Sequence, residues 1–316
     1  MTSGGDSPGM NAAIRAFTRK AIHDGNKVMG IWGGYEGLLN EDITELNNRS
    51  VGNVIQQGGT FLKTSRSERF RKEPGQKKAA EILEKQKIDA LCVIGGDGSF
   101  RGLAALSKFY GGQMIGVPGT IDNDIPGTEY TIGFDTAVHT AVWAIDKIRD
   151  TASSHARMIF VEVMGRHSGQ IALHVALAAG AEDVLIPEEK TDVPAFIKRL
   201  EKGRKLGKRF GIVVVAEGDD AGGAFKIAEE VTKETGLTIK VSVLGYIQRG
   251  GPPTAADRIY GSRMGEAAVR FIQNDHNLVF TALRAGHIQP AYLTEATSGK
   301  RSVDPEMVKL VRVIGS

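Results

Sequence analysis

Short apolar runs rich in valine and isoleucine recur along this chain between segments of helical spacing, and that alternation constrains the fold more than any other feature. The runs are KVMGIW, DALCVIGG, GQMIGVPG, ARMIFVEVMG, EDVLIP, FGIVVVAEG and KVSVLG. Strands of a parallel sheet read as continuous apolar runs because crossover helices cover both faces. The pattern therefore predicts an α/β protein with doubly wound, mostly parallel sheets. Between the runs, the spacing predicts helices over residues 11–24, 77–86, 100–109, 136–150, 168–179, 193–206 and 224–235. In the first of these, Pro8 suits the helix start, and Ile14, Phe17 and Ala21 share an apolar side. A domain change is expected near Gly133, and the alternation fades after about residue 285.

With 316 residues, 41% hydrophobic and 24% charged, the chain is long enough for two domains and too apolar for disorder. The formal charge of +3 is spread along the chain rather than gathered in an arm, which suits anionic small molecules and argues against a nucleic-acid partner. The single cysteine, Cys92, lies in an apolar run and reads as a buried core residue; with no internal disulfide, a reducing cytoplasm is the expected location. No apolar run approaches the length of a membrane span, so no membrane partner is expected.

Two glycine-rich or acidic turns follow predicted strands. In LCVIGGDGSF, Gly95, Gly96 and Gly98 let a backbone approach an anion, and Ser99 is placed to cap the following helix. Asp97 would repel a phosphate unless a divalent cation lay between them, so Mg²⁺ carried by a nucleotide is the economical reading. Similar turns occur in NAD kinases and lipid kinases, so this one points to phosphoryl transfer without naming the acceptor. In GVPGTIDNDIPGT, Asp122 and Asp124 lie two apart after Thr120, and in extended structure both would face one cleft. Elsewhere Arg66, Arg157, Arg166 and Arg249 offer forks for phosphate oxygens, and Glu217 a carboxylate for sugar hydroxyls. The opening TSGGDSPGMNAAIR is a further phosphate-type turn, but one with no strand before it.

Taken in order, TSGGDSPGMNAAIR, IGGDGS, PGTIDNDIPGT, TIGFDTA, RDTASSHAR, EVMGRHSG, VLGYIQRGG and DRI…SRMG closely resemble the bacterial ATP-dependent phosphofructokinases, from residue 2 to about residue 271. The resemblance implies transfer of the ATP γ-phosphoryl group to the 1-hydroxyl of fructose 6-phosphate, in a cytoplasmic homotetramer. It implies an ATP-binding domain over residues 1–132 and 245–288, a sugar-phosphate domain over 133–244 and 289–316, and an active site in the cleft between them. Carried over by motif, Gly5, Arg66, Gly96, Asp97, Gly98 and Ser99 would hold the nucleotide, with Asp97 on Mg²⁺. Asp122 would be the general base, with Gly4, Thr120, Ile121, Asp124 and Arg166 around the reacting groups. Met164, Gly165, Arg166, Glu217 and Arg249 would bind the sugar phosphate, and Arg157 would reach a neighbouring subunit's site. Pyrophosphate-using relatives typically carry Asp at Gly98 and Lys at Gly119, so both glycines favour ATP.

The chain departs from that pattern in places. Lys240 stands where the family has a second cross-subunit arginine, and Tyr246 replaces the histidine of GHIQRGG. Both residues are expected to weaken sugar-phosphate binding more than they alter the chemistry. The family's effector site, for ADP or phosphoenolpyruvate, is matched by Arg15, Arg19, Arg149, Gly180, Glu182 and Lys208, while Leu206 stands where a basic residue is usual. A family strand of the type KKIGVL would precede TSGGD; either Met1 is a misplaced start or fragment edge, or the chain is a damaged copy. Intact motifs downstream favour the first. A non-catalytic nucleotide-binding subunit is the alternative function, and a pyrophosphate-dependent phosphofructokinase the alternative within the class.

Overall fold

In the computed structural model, which describes residues 1–315, each of the apolar runs forms a strand. The chain divides into two compact units: unit 1 comprises residues 1–121, 125–136 and 249–301, and unit 2 comprises 122–124, 137–248 and the C-terminal segment from 302.

Unit 1 is built on a five-stranded sheet. Its members are β1 (Thr2–Ser3), β4 (Ala90–Gly95), β5 (Gln113–Pro118), β10 (Val279–Arg284) and β11 (His287–Tyr292), in that order. The first four run parallel, and β11 returns antiparallel to β10. Helix α1 (Met10–His23) packs against α9 (Ala255–Gln273) with almost no room between backbones. A Cβ on Gly265 would stand 2.3 Å from the Ala13 carbonyl oxygen, and one on Gly261 would stand 2.8 Å from that of Gly9. Small residues at this seam let two backbones approach to a distance that a side chain would forbid. Helix α4 (Asp97–Leu106) follows β4 directly, and α3 (Glu73–Lys85) and the short α10 (Leu293–Ala296) pack on it.

The run KVMGIW departs from the parallel-sheet expectation. It forms β2 (Val28–Ile31), which pairs antiparallel with β3 (Ile43–Leu46) in a separate two-stranded sheet. Only the short helix α2 (Gly34–Leu39) lies between them, and a short connection returns a chain antiparallel. An apolar groove of about 360 Å³ is lined by residues of α1, β2, β3 and β4 and by Met1, among them Val28, Ile31, Leu46, Cys92 and Ile94. Cys92 is buried, and burial pushes its thiol up to about 11, consistent with an inert core residue.

The expectation that the opening turn lacks any strand is corrected in part. Thr2 and Ser3 pair with Ile94 and Gly95 of β4, and the Ile94 N–H donates to the Met1 carbonyl at 3.0 Å. The Met1 ammonium is itself buried and donates to the Cys92 carbonyl at 2.9 Å. Burial lowers its pKa below the ordinary 8.0. A group whose folded pKa is depressed contributes its full stability above the unfolded value and loses it as pH falls. The thermal midpoint is therefore expected to rise as pH is raised toward about 8 and to level off above it. A version carrying KKIAVL directly before Thr2 puts an amide where the Met1 amine stands and lays apolar side chains toward the groove. It is expected to melt at least about 5 °C higher, with that pH slope lost. An unchanged midpoint and slope in differential scanning calorimetry would show that the groove does not take a strand.

Unit 2 carries a four-stranded parallel sheet in the order β7 (Asp183–Leu185), β8 (Gly211–Ala216), β6 (Met158–Val163) and β9 (Ile239–Val243). Its β8 run GIVVVA is buried throughout. Helices α7 (Val193–Lys205) and α8 (Gly223–Thr235) cover one face, placing Phe196, Leu200, Ile227 and Val231 against Phe160, Val213 and Val215. Helix α6 (Gln170–Ala178) and the C-terminal α11 (Pro305–Ile314) also belong to this unit, as does α5 (Phe134–Ser154) beyond its first turn. No helix among the described residues is long and apolar enough to cross a membrane.

Candidate active site

The opening turn, the β4 turn and the Gly119–Ile121 stretch of unit 1 lie at the carboxyl ends of β1, β4 and β5, the position where open parallel sheets bind ligands. The β4 turn is pinned to the opening turn by Ser99, whose hydroxyl donates to the Ser3 carbonyl at 2.9 Å while its own carbonyl accepts from the Tyr35 hydroxyl at 2.8 Å. Ser99 thus ties two strand ends together and does not cap α4; Gly96 occupies the cap position without a side-chain bond. Gly95 is needed at this junction, since its Cβ would sit 2.5 Å from both the Ser3 carbonyl oxygen and Ser99 Oγ. The segment KTSRSERF lies along the same turn. The Thr64 hydroxyl donates to the Gly4 carbonyl at 3.0 Å, and the Ser65 hydroxyl donates to the Gly33 carbonyl at 2.7 Å. Arg66, between Ser65 and Ser67, is exposed. Gly4, at φ +85°, makes the tight bend after β1.

Asp97 is the first residue of α4. Its carboxylate accepts from the Gly98 N–H at 2.7 Å and pairs with Arg101 at 3.2 Å. Gly98 borders open space, with no atom within 4 Å of a built Cβ. Gly96 faces Thr120, whose Cβ lies 3.7 Å from where a side chain on that glycine would begin. Gly119, by contrast, is packed: its Cβ would meet Ile94 and Met10 at 3.0 Å each. Gly5 lies under Arg249, whose guanidinium would be 2.8 Å from a Cβ there and donates to the Asp6 carbonyl at 3.1 Å. Arg249, expected with the sugar-phosphate residues, therefore sits over the opening turn of unit 1.

Asp122 and Asp124 are both buried, at 6% and 5% exposure, but not by the extended geometry expected of residues two apart. The chain turns at Ile121–Asp122 and passes through Asn123 at φ +46°. Asparagine tolerates the left-handed region because its short polar side chain adds little strain there, which a β-branched residue would not.

In unit 2 the segment Met164–Ser168 forms a turn against the ends of β6 and β8. Gly165 has φ +145° and Arg166 φ +53°. The Glu217 carboxylate accepts from the Arg166 N–H at 2.7 Å and from the Gly165 N–H at 3.4 Å. One oxygen of Glu217 thus shapes the backbone that presents Arg166. The Met164 N–H donates to Gln248 Oε1 at 2.9 Å, and the Ser168 hydroxyl donates to the Asp122 carbonyl at 3.0 Å. Gln248, fully buried, is a site-shaping residue that the sequence does not single out; a glutamine inside an otherwise apolar and glycine-rich turn is the available signal. Arg166, Arg157, Lys240 and Tyr246 reach solvent, Tyr246 at 82% exposure.

The residues matched to an effector site fall in both units. Arg15 and Arg19 lie on α1 of unit 1, where Arg19 reaches the Asn48 carbonyl. Arg149, Gly180, Glu182 and Lys208 gather in unit 2. There the Arg149 guanidinium donates to the Gly180 carbonyl at 3.0 Å, Lys208 donates to the Gly315 carbonyl, and Glu182 accepts from the Ile212 N–H. Burial pushes the Glu182 carboxyl above its ordinary range, opposed by the Ile212 N–H and by the Arg149 and Lys208 charges. Leu206 stands 70% exposed.

Among the described residues no cluster of three or more His, Cys, Asp or Glu could hold a metal ion. A single oxygen donor such as Asp97 still fits Mg²⁺ brought by a nucleotide, because Mg²⁺ keeps several waters and takes most other ligands from phosphates.

These features define a two-unit parallel α/β protein with phosphate-type turns at its strand ends. The sequence pattern described as Phosphofructokinase matches residues 1–272, and the chain belongs to that family. It is 50% identical over 314 residues to an ATP-dependent 6-phosphofructokinase of Clostridioides difficile, covering 99% of this chain and 98% of that protein. It is 48% identical over 313 residues to ATP-dependent 6-phosphofructokinase 1 of Thermus thermophilus, covering 99% and 97%. Among solved structures, phosphofructokinase from Saccharomyces cerevisiae superposes with a TM-score of 0.86 at 34% identity, over 99% of this chain and 45% of that one. A pyrophosphate-dependent phosphofructokinase from Nitrosospira multiformis superposes at 0.87 with 25% identity, over 100% and 89%.

Proposed function

We propose that this chain transfers the γ-phosphoryl group of ATP to the 1-hydroxyl of fructose 6-phosphate, giving fructose 1,6-bisphosphate and ADP. The observation that carries the reading is 50% identity, over almost its whole length, to a relative named for that ATP-dependent activity. Phosphoryl transfer asks a protein mainly to align groups and neutralise charge. In this reading the N-terminus of α4 and the glycine turns at Gly4–Gly5 and Gly96–Gly98 receive the nucleotide phosphates, with Arg66 adding a positive charge. Asp97 would hold Mg²⁺, which shields phosphate oxygens when bound. Asp122 takes the proton of the attacking hydroxyl, with Thr120 and Asp124 beside it. Met164, Gly165, Arg166, Glu217 and Arg249 hold the sugar phosphate. A homotetramer completes the site with Arg157 and Lys240 of a neighbouring subunit, and the cytoplasm is its setting.

ATP is favoured over pyrophosphate by glycine at positions 98 and 119, where pyrophosphate-using relatives typically carry Asp and Lys. A lysine in place of Gly119 would have to displace Ile94 and Met10. Control by ADP or phosphoenolpyruvate at the Arg149, Gly180, Glu182 and Lys208 cluster belongs to the same proposal, with Arg15 and Arg19 contributing. The direct test is ADP release from Mg²⁺-ATP with fructose 6-phosphate; equilibrium ATP binding without turnover would favour a non-catalytic subunit instead. Lysine lacks the planar fork of arginine, and a tyrosine ring fills more space than imidazole. Lys240→Arg with Tyr246→His is therefore expected to lower the fructose 6-phosphate KM by about threefold or more, on the scale of about one added hydrogen bond, with kcat nearly unchanged. An unaltered KM would remove these two residues from the affinity argument.

A further inference from the structure

Asp257, at the start of α9, has no role in the reaction described above and no exposure to solvent. A carboxylate so placed needs hydrogen-bond donors, and this one has them on both oxygens. Its Oδ1 accepts from the Tyr130 hydroxyl at 2.7 Å and the Gly133 N–H at 2.6 Å. Its Oδ2 accepts from the Thr136 N–H at 2.9 Å and from the Thr136 hydroxyl. That hydroxyl accepts in turn from the Thr254 N–H at 3.0 Å. Burial raises the Asp257 pKa, and the same hydrogen bonds act to lower it.

The segment held in this way, residues 130–136, supports both catalytic turns of unit 1. The Thr131 hydroxyl donates to the Thr120 carbonyl at 2.7 Å, and the Ile132 N–H donates to the Pro118 carbonyl at 2.8 Å. Ile132 also forms an isolated parallel bridge with Gly119. On the other side, a Cβ on Gly133 would meet Ser7 at 2.5 Å, and one on Gly9 would meet Ile132 at 2.8 Å and Asp257 at 3.1 Å. The opening turn and the β5 turn therefore rest on one strip of backbone, and Asp257 ties that strip to α9.

We infer that Asp257 is a positioning residue for phosphoryl transfer: by fixing Tyr130, Gly133 and Thr136 it sets, through Thr131 and Ile132, the placement of Pro118–Thr120 beside the base. The inference rests on the phosphofructokinase reading above. Turnover depends on alignment of reacting groups to within a fraction of an ångström. A displaced Thr120 would therefore be expected to slow the chemistry more than it weakens either substrate.

The test is Asp257→Asn, which keeps the shape but turns an amide NH₂ toward two donors on whichever side it faces. The expected result is a kcat lower by about tenfold or more with both KM values within about threefold, and faster hydrogen exchange at the Ile132 and Gly133 amides. Thr131→Val is expected to lower kcat less. Because both substitutions act on one path, the double variant should lose far less than the product of the single effects. Should Asp257→Asn fail to fold, Tyr130→Phe removes one donor only and is expected to show the same pattern in smaller measure. Wild-type exchange rates with kcat within about twofold in the folded variant would overturn the inference, as would independent multiplication of the two effects. If the wild-type chain itself shows no turnover, the kinase reading fails, and the exchange rates at Ile132 and Gly133 alone decide whether Asp257 positions the strip.

Discussion

Asp122→Ser is expected to reduce kcat by about two decades or more, the range for loss of a positioned general base, while the fructose 6-phosphate KM stays within about threefold. The expectation has a structural basis as well as a chemical one. The Asp122 side chain is 6% exposed, and a buried carboxylate that is to accept a proton cannot be replaced by a passing water at equal efficiency. The backbone at this position is held separately, through the Ser168 hydroxyl on the Asp122 carbonyl at 3.0 Å. Serine can therefore replace the carboxylate without releasing the turn. Asp122→Asn provides the control for volume, since it preserves shape and removes only basicity. Rate constants for both variants would be measured by coupled ADP release at saturating substrates. If Asp122→Ser retains more than about a tenth of the wild-type kcat, the base lies elsewhere, and Asp124, at 5% exposure, becomes the candidate to replace next.

Periodicity makes most of the chain legible because parallel strands buried on both faces carry an unbroken apolar signal. The β8 run GIVVVA and the β4 run ALCVIG can hardly be read otherwise. The hairpin of β10 and β11 is not legible, for identifiable reasons. Its turn is Ala285–Gly286, with φ +47° and +79°; alanine at the first left-handed position hides a turn that Asn-Gly would announce. Strand β11 reads HIQPAY, mostly exposed and with Pro290 inside it, which an edge strand tolerates and a central strand does not. Helix α9 gives little sign of itself because it meets α1 through Gly261 and Gly265, so that packing surface carries a weak hydrophobic signal.

The site is legible in its residues and less so in their geometry. Spacing alone puts Asp122 and Asp124 on one side through extended structure, whereas a left-handed Asn123 turns the chain between them. Serine at the offset of Ser99 commonly caps a helix, yet this hydroxyl goes to Ser3, 96 residues away in sequence. Long-range bonds of this kind leave no local pattern, and neither do those of Asp257.

Gly218→Ala is expected to raise the fructose 6-phosphate KM by about tenfold or more, the scale of one charge-assisted hydrogen bond. The cause is steric. A Cβ on Gly218 would stand 1.7 Å from the Arg166 carbonyl oxygen and 2.7 Å from its carbonyl carbon. Both contacting atoms are backbone, so relief requires the Met164–Ser168 turn or the end of β8 to move. Either movement separates the Glu217 carboxylate from the Arg166 N–H, which it now meets at 2.7 Å. Arg166, already at φ +53°, depends on that bond to hold its conformation. Overpacking of this kind also costs about 1–3 kcal/mol, so the thermal midpoint of unit 2 should fall together with sugar-phosphate affinity. The ATP KM should stay within about twofold, because the glycine turns of unit 1 are untouched. Steady-state kinetics at varied fructose 6-phosphate decide the matter: an unchanged KM in folded Gly218→Ala protein would mean that the turn presenting Arg166 does not bind the sugar phosphate.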